Sequence, residues 1–239
     1  MTSRQRWLAA LDMKSVDHLP FWPKLSAAYP PAQQLPFANM SLDNIYEWIG
    51  SDRHYWISNC INEVHKNFSR DVKNDGKENV TVYHTPFKDL RLVEQFDEPS
   101  RAWHPVEFPI KEKEDIKIMA EFYRDIELKC DVDALKEATE RNKQIGDAGL
   151  VGTAIGESPL MYWVEFLAGI ENAHFFLADY QKETEELFEA MHQMLLKKTE
   201  IIVGCNPADV FYFFENTSTT LISPQQYRRY CLRHLSAYA

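Results

Sequence analysis

The stretch LVGTAIGESPL, residues 150–160, decides the first reading of the fold. Leu150, Val151, Ala154 and Ile155 surround Gly152 and Thr153 in a compact apolar run bounded by glycines. Such a run is expected of a strand buried on both faces in a parallel sheet. Glu157-Ser158-Pro159 then places a serine at an N-cap and a proline at the first helical position, a tight strand-to-helix turn. The same order returns downstream. DVFYFFE (209–215) reads as a second buried strand, and SPQQY (223–227) starts a helix with Ser223 as cap and Pro224 as its first residue. Between them, from Thr184 on, Leu187, Phe188, Met191, Met194, Leu195, Ile201 and Ile202 mark one helical face that Gly204 closes. Alternating strands and helices predict parallel strands joined by right-handed crossovers, hence a doubly wound sheet or a (β/α) barrel.

Upstream, Ser3 to Leu11 predicts a short helix and Leu19-Pro-Phe-Trp a first strand, whose end near Trp22 and Lys24 would face a pocket. Ser41 to Ile49 predicts a helix stopped by Gly50, and Asp52 to Ser58 a strand carrying His54. Residues 80–96 alternate apolar and polar with period two, the signal of a β-hairpin, assigned as an insertion of about residues 78–98. Lys111 to Cys130 and Asp133 to Ile145 read as outer amphipathic helices. The 239 residues form one domain in this reading.

Composition narrows the function. With 45% hydrophobic residues and no apolar run near the ~20 residues of a spanning helix, neither disorder nor a membrane span is expected. The N-terminal residues do not read as a signal peptide, so the expected compartment is the cytoplasm. A net charge of −10 opposes nucleic acid and anionic membrane surfaces and favours a small-molecule or protein partner. Cys60, Cys130, Cys205 and Cys231 are widely spaced and without a CxxC pair, so they read as structural thiols. His54 and His84 have no partner at metal-site spacing, and both read as ordinary core or surface residues.

Ligands of parallel α/β folds bind beyond the carboxyl ends of the strands. That rule selects the loop with Thr153, Gly156 and Ser158, where small residues leave room for a ligand, and the strand end Glu215-Asn-Thr-Ser-Thr-Thr. A carboxylate at the rim of an apolar strand is costly unless paired, so Glu215 is the candidate catalytic residue or metal ligand. Trp22, Lys24, Tyr212, Asn216 and Thr217 complete the candidate substrate-binding set.

The run DVFYFFENTSTTLISPQQYRRYCLRHLSAY (209–238) resembles the strand and following helix of the uroporphyrinogen decarboxylase superfamily, where an acidic strand end precedes a Ser-Pro helix start. RQRWLAAL with VDHLPFWP, YHTPFKDLRLVEQF and LVGTAIGESPL are similar to further segments of that family. The resemblance implies a (β/α)8 TIM barrel, of which the chain would hold about four strands, the first half, plus the hairpin. It implies a decarboxylase of uroporphyrinogen or, on the closer branch, a zinc enzyme that moves methyl groups between a corrinoid protein and a thiol or related acceptor. The decarboxylases' arginine-rich stretch is replaced here by FWPKLSAAYPP, which favours the methyltransferase-like branch. The family's His and Cys zinc ligands have no counterpart, leaving Glu215 as the one metal-ligand candidate in the chain. A half barrel exposes edge strands and an apolar face, so a non-catalytic half barrel working as a homo-oligomer is the third reading.

Overall fold

A computed structural model describes residues 1–26 and 28–239. In chain order the elements are α1 (Ser3–Leu11), α2 (Leu42–Trp48), β1 (Arg53–Trp56), β2 (Ile61–His65), β3 (Ser69–Asn74), β4 (Glu78–His84), β5 (Leu90–Asp97) and β6 (Ala102–Glu107). They continue with α3 (Lys113–Arg124), β7 (Ile126–Cys130), α4 (Val132–Ile145), β8 (Gly149–Gly156), α5 (Pro159–Tyr162), α6 (Ile170–Asp179), α7 (Gln181–Cys205), β9 (Val210–Phe213), α8 (Pro224–Tyr227) and α9 (Arg233–Tyr238).

The expectation of half a (β/α)8 barrel is not met. Three strands, in the order β1-β8-β9, make the parallel sheet, while β2-β7 and β3-β4-β5-β6 are antiparallel sheets. The fold class is α/β with separate sheets. Two segments account for much of the difference. Residues 19–22 form no strand: Pro20 and Pro23 carry no N–H, and Phe21 is held by Asp52, which donates its N–H to the Phe21 carbonyl at 2.7 Å and accepts the Phe21 N–H on its carboxylate at 3.0 Å. Residues 126–130, predicted as helix, leave α3 at Asp125 and pair with β2 in the register Ile61↔Cys130 to His65↔Ile126. The Asp125 carboxylate fixes that exit by accepting the N–H groups of Lys66, Asn67 and Phe68. The hairpin is present as β4–β5, Tyr83 opposite Leu90, but as the centre of a four-stranded sheet.

The chain divides into two compact units. The first holds Met1–Cys60, Val132–Ala154 and Asn206–Tyr212; the second holds Ile61–Asp131, Ile155–Cys205 and Phe213–Ala239. In the first unit α1 is tied down by charge. Arg6, 8% exposed, bonds Asp17 and Asp52, the Trp7 indole N–H reaches the Asp52 carbonyl at 2.9 Å, and Arg4 bonds Asp209 at 2.7 Å. Asp209 also accepts the Val151 N–H at 2.9 Å and donates its own N–H to the Val151 carbonyl at 2.8 Å, which aligns the entry of β9 with β8.

The second unit owes its core to amphipathic helices. Ile116, Met119 and Ala120 of α3 are buried together with Leu187, Phe188 and Met191 of α7 and with Trp163 and Leu167 beyond α5. Each such large side chain contributes ~2 kcal/mol by leaving water. Both serine N-caps read from the sequence are made, Ser158 accepting the Met161 N–H and Ser223 the Gln226 N–H.

Candidate functional site

In the second unit the Phe214 N–H bonds the Gly156 carbonyl at 2.9 Å and sets Glu215 beside the turn that follows β8. Glu215 Oε1 accepts the Ser158 N–H at 2.5 Å and Oε2 accepts the Ser158 hydroxyl at 2.8 Å. The Cys231 thiol lies 3.4 Å from the same Oε2 and 3.3 Å from Ser158 Oγ. Burial raises the Glu215 carboxyl above the usual carboxylate range, and the Ser158 bonds act against that rise. Burial pushes the Cys231 thiol up to about 12, so it is a neutral donor near pH 7.

Two further carboxyls complete the cluster. Glu157 is pushed up to about 7, first by burial and then by the charges of Glu165 and Glu215. Its Oε2 is buried with no hydrogen-bond partner among the described residues, as is Oε1 of Glu165. The other Glu165 oxygen accepts the Asn216 side-chain N–H at 3.0 Å. Glu165 and Asn216 line a cleft of about 760 Å³ that Trp103, His104, Phe108 and Leu221 share. Gly169, also on its wall, has φ +75°, and a Cβ there would stand 2.7 Å from the Phe108 ring, so glycine keeps this wall in place.

The predicted site residues separate into two groups. Ser158, Glu215 and Asn216 belong to the carboxyl cluster, whereas Thr217 is exposed and lines a smaller depression with Ser223 and Tyr227. Gly156 makes room for α7, since a Cβ there would approach Leu195 to 3.1 Å. Glu157, Glu165 and Cys231 were not singled out. Glu157 sat in view inside GESP, but Cys231 carries no local signal, because only the packing of the C-terminal helices brings it to Ser158.

Trp22, Thr153 and Tyr212 belong to the first unit. Thr153 is fully buried, and its hydroxyl donates to the Ile57 carbonyl at 3.1 Å, a tie between segments of the sheet; Lys24 is exposed. His54, read as an ordinary residue, is the centre of a ring cluster. Its ring stacks on Trp22 at 4.7 Å, lies 4.6 Å from Trp56, and its Nε2 is 2.9 Å from the Tyr212 hydroxyl. β1 and β9 flank β8 on opposite sides, so these rings meet across the middle strand. Gly152 permits it: a Cβ would stand 2.6 Å from Tyr212 Cε2 and 2.9 Å from His54 Nε2. Burial lowers the His54 pKa, which keeps the imidazole neutral, and its Nδ1 has no hydrogen-bond partner among the described residues.

The residues around Glu215 do not fit the zinc centre that the resemblance implies. Both Glu215 oxygens are taken by Ser158, and the cluster around it offers further carboxyls and one thiol, Cys231, in place of the His and Cys ligand set of that family. Among the described residues no group of three His, Cys, Asp or Glu side chains is arranged to hold a metal ion. No described helix is long and apolar enough to cross a membrane. Comparison of the chain with models of protein families, with curated proteins and with solved structures finds no match.

Proposed function

We propose that this chain carries an acid–base site for a small organic substrate, of the kind found in the uroporphyrinogen decarboxylase superfamily, with Glu157 as the proton carrier and Glu215 as the fixed carboxylate beside it. The observation that carries the reading is the Glu157 carboxyl, whose buried Oε2 has no partner among the described residues and whose pKa of about 7 lets it hold or release a proton near neutrality. Two carboxyls in different environments separate the roles. Glu215, tied to Ser158 through both oxygens, cannot turn towards a ligand without breaking those bonds, while Glu157 keeps one oxygen unengaged.

The charge of the cluster bears on the substrate. Glu157, Glu165 and Glu215 together disfavour a polycarboxylate such as uroporphyrinogen and favour a neutral or cationic small molecule. Of the family's two branches this favours the methyltransferase-like one, in which a corrinoid protein would be the partner, but without the zinc centre which that branch uses. In that setting Glu157 serves by setting the protonation of the methyl acceptor or leaving group.

Turnover assays decide the matter. The chain is incubated with uroporphyrinogen in one arm, and with methylcobalamin and a thiol acceptor in another. The reading expects activity in the second arm, a loss of ~10²-fold or more in Glu157→Gln, and, for Glu157 as acid, a rate that falls as pH rises through about 7. Equal rates for the parent chain and Glu157→Gln would falsify the role of Glu157; coproporphyrinogen from the first arm would move the chain to the decarboxylase branch.

A further inference from the structure

Cys130 is the last residue of β7 and Cys205 the last residue of α7, 75 positions apart in sequence, and their sulfurs are 3.2 Å from each other. We propose that these two thiols form a reversible intramolecular disulfide when the chain meets a low-molecular-weight disulfide such as oxidised glutathione. The pair is a modification site of the second unit, separate from the carboxyl cluster.

Three observations support it. The first is approach: a disulfide needs the sulfurs to close to about 2.05 Å, and from 3.2 Å this asks for side-chain rotation and a small backbone shift. The second is that the two elements are already held near each other. β7 is paired along its whole length with β2, and Lys198 of α7 reaches Glu63 of β2 at 2.9 Å, so neither sulfur has to be brought in from solvent. The third is selectivity. Cys60 and Cys231 are fully buried, and burial holds the Cys231 thiol at about 12, whereas Cys130 and Cys205 are both half-buried and within reach of a small oxidant.

The chemistry balances as two exchanges. One thiol loses its proton and its thiolate attacks a sulfur of the small disulfide, giving a mixed disulfide and one small thiol. The second thiolate then attacks the protein sulfur of that mixed disulfide, forming the Cys130–Cys205 bond and expelling the second small thiol. The chain's thiols are oxidised, the small disulfide is reduced to two thiols, and the two protons pass to them. Cys205 ends a segment of the second unit, and Asp131, next to Cys130, ends another, so the bond would join the two points where the chain leaves that unit.

The experiment equilibrates the full chain with graded ratios of reduced to oxidised glutathione. Rapid alkylation then traps remaining thiols, and peptide mapping under non-reducing conditions identifies the linkage. A Cys130–Cys205 peptide, a loss of two titratable thiols out of four, and full return on addition of dithiothreitol are expected. Cys130→Ser and Cys205→Ser should each retain one glutathione adduct in place of the link. Oxidation should raise the melting temperature of the parent chain by several degrees and leave either variant unmoved. Persistence of both thiols in the folded chain, at a ratio that links them when it is unfolded in urea, would overturn the proposal. So would oxidation that stops at mixed disulfides in the parent chain, and neither result depends on the variants folding.

Discussion

The ring cluster of the first unit and the carboxyl cluster of the second bury polar groups in opposite ways. His54 lies among Trp22, Trp56 and Tyr212, where burial favours the neutral base and lowers its pKa. Glu157 lies near two more carboxyls, where burial also favours the neutral form but therefore raises its pKa, and like charges add to the rise. One physical cause, the cost of charge away from water, leaves one site a neutral imidazole and the other a carboxyl that exchanges its proton near pH 7. The first is suited to stacking and a hydrogen bond, the second to proton transfer.

The largest effect that would break this contrast is expected from Gly152→Ala. The new Cβ would meet Tyr212 and His54 inside contact distance, so the rings must part, at a cost of about 3 kcal/mol. Chemical denaturation measures it, and a change below about 0.5 kcal/mol would show that the rings do not depend on the bare strand. Next is Ser158→Ala, which removes the hydroxyl from Glu215 and the cap from Met161, for about 2 kcal/mol. The Glu215 pKa, followed by carboxyl carbon resonances, should rise further, and a fall would contradict the assignment of Ser158 as the group holding that charge.

Glu157→Gln tests the other side with the opposite sign. Because the folded-state pKa is raised from 4.5 to about 7, ionisation penalises the fold as pH climbs through that window. The variant should therefore equal the parent below pH 4.5 and exceed it above pH 7, by about 1–2 kcal/mol once solvent screening is allowed for. Melting curves across that range decide it, and a constant difference at all pH values would remove Glu157 from the titrating role. The smallest effect is expected from Tyr212→Phe, about 1 kcal/mol for one hydrogen bond to His54. Nitrogen resonances of the His54 ring should shift in that variant, and an unmoved spectrum would mean that the bond is not made in solution.

Local structure was readable where one short motif contains all of its own causes. Ser158-Pro159 and Ser223-Pro224 start helices as read, because cap, proline and N3 partner are neighbours in sequence. The long apolar face from Leu187 to Ile202 gave α7, and the alternation around residue 86 gave β4–β5. The failures lie where a partner is distant. Residues 126–130 looked like the tail of α3, yet β2, 61–65, provides a ladder that outweighs helix propensity. Leu19 to Trp22 reads as a strand, but Pro20 removes one donor and the Asp52 carboxylate takes the Phe21 N–H, and the expected half barrel is absent as well.

Glu215 shows the same division within one residue. Sequence alone determined that a carboxylate ends an apolar strand and must find partners there, because burial of an unpaired charge is too costly. The polar residues that follow it in sequence, 216–220, are exposed. Only the tertiary structure decided that Ser158 and Cys231, 57 and 16 positions away, hold it, and that Glu157 and Glu165 share its surroundings. The reason is geometric: adjacent parallel strands bring residues far apart in sequence to neighbouring ends, and no pattern within either strand records which end will face which.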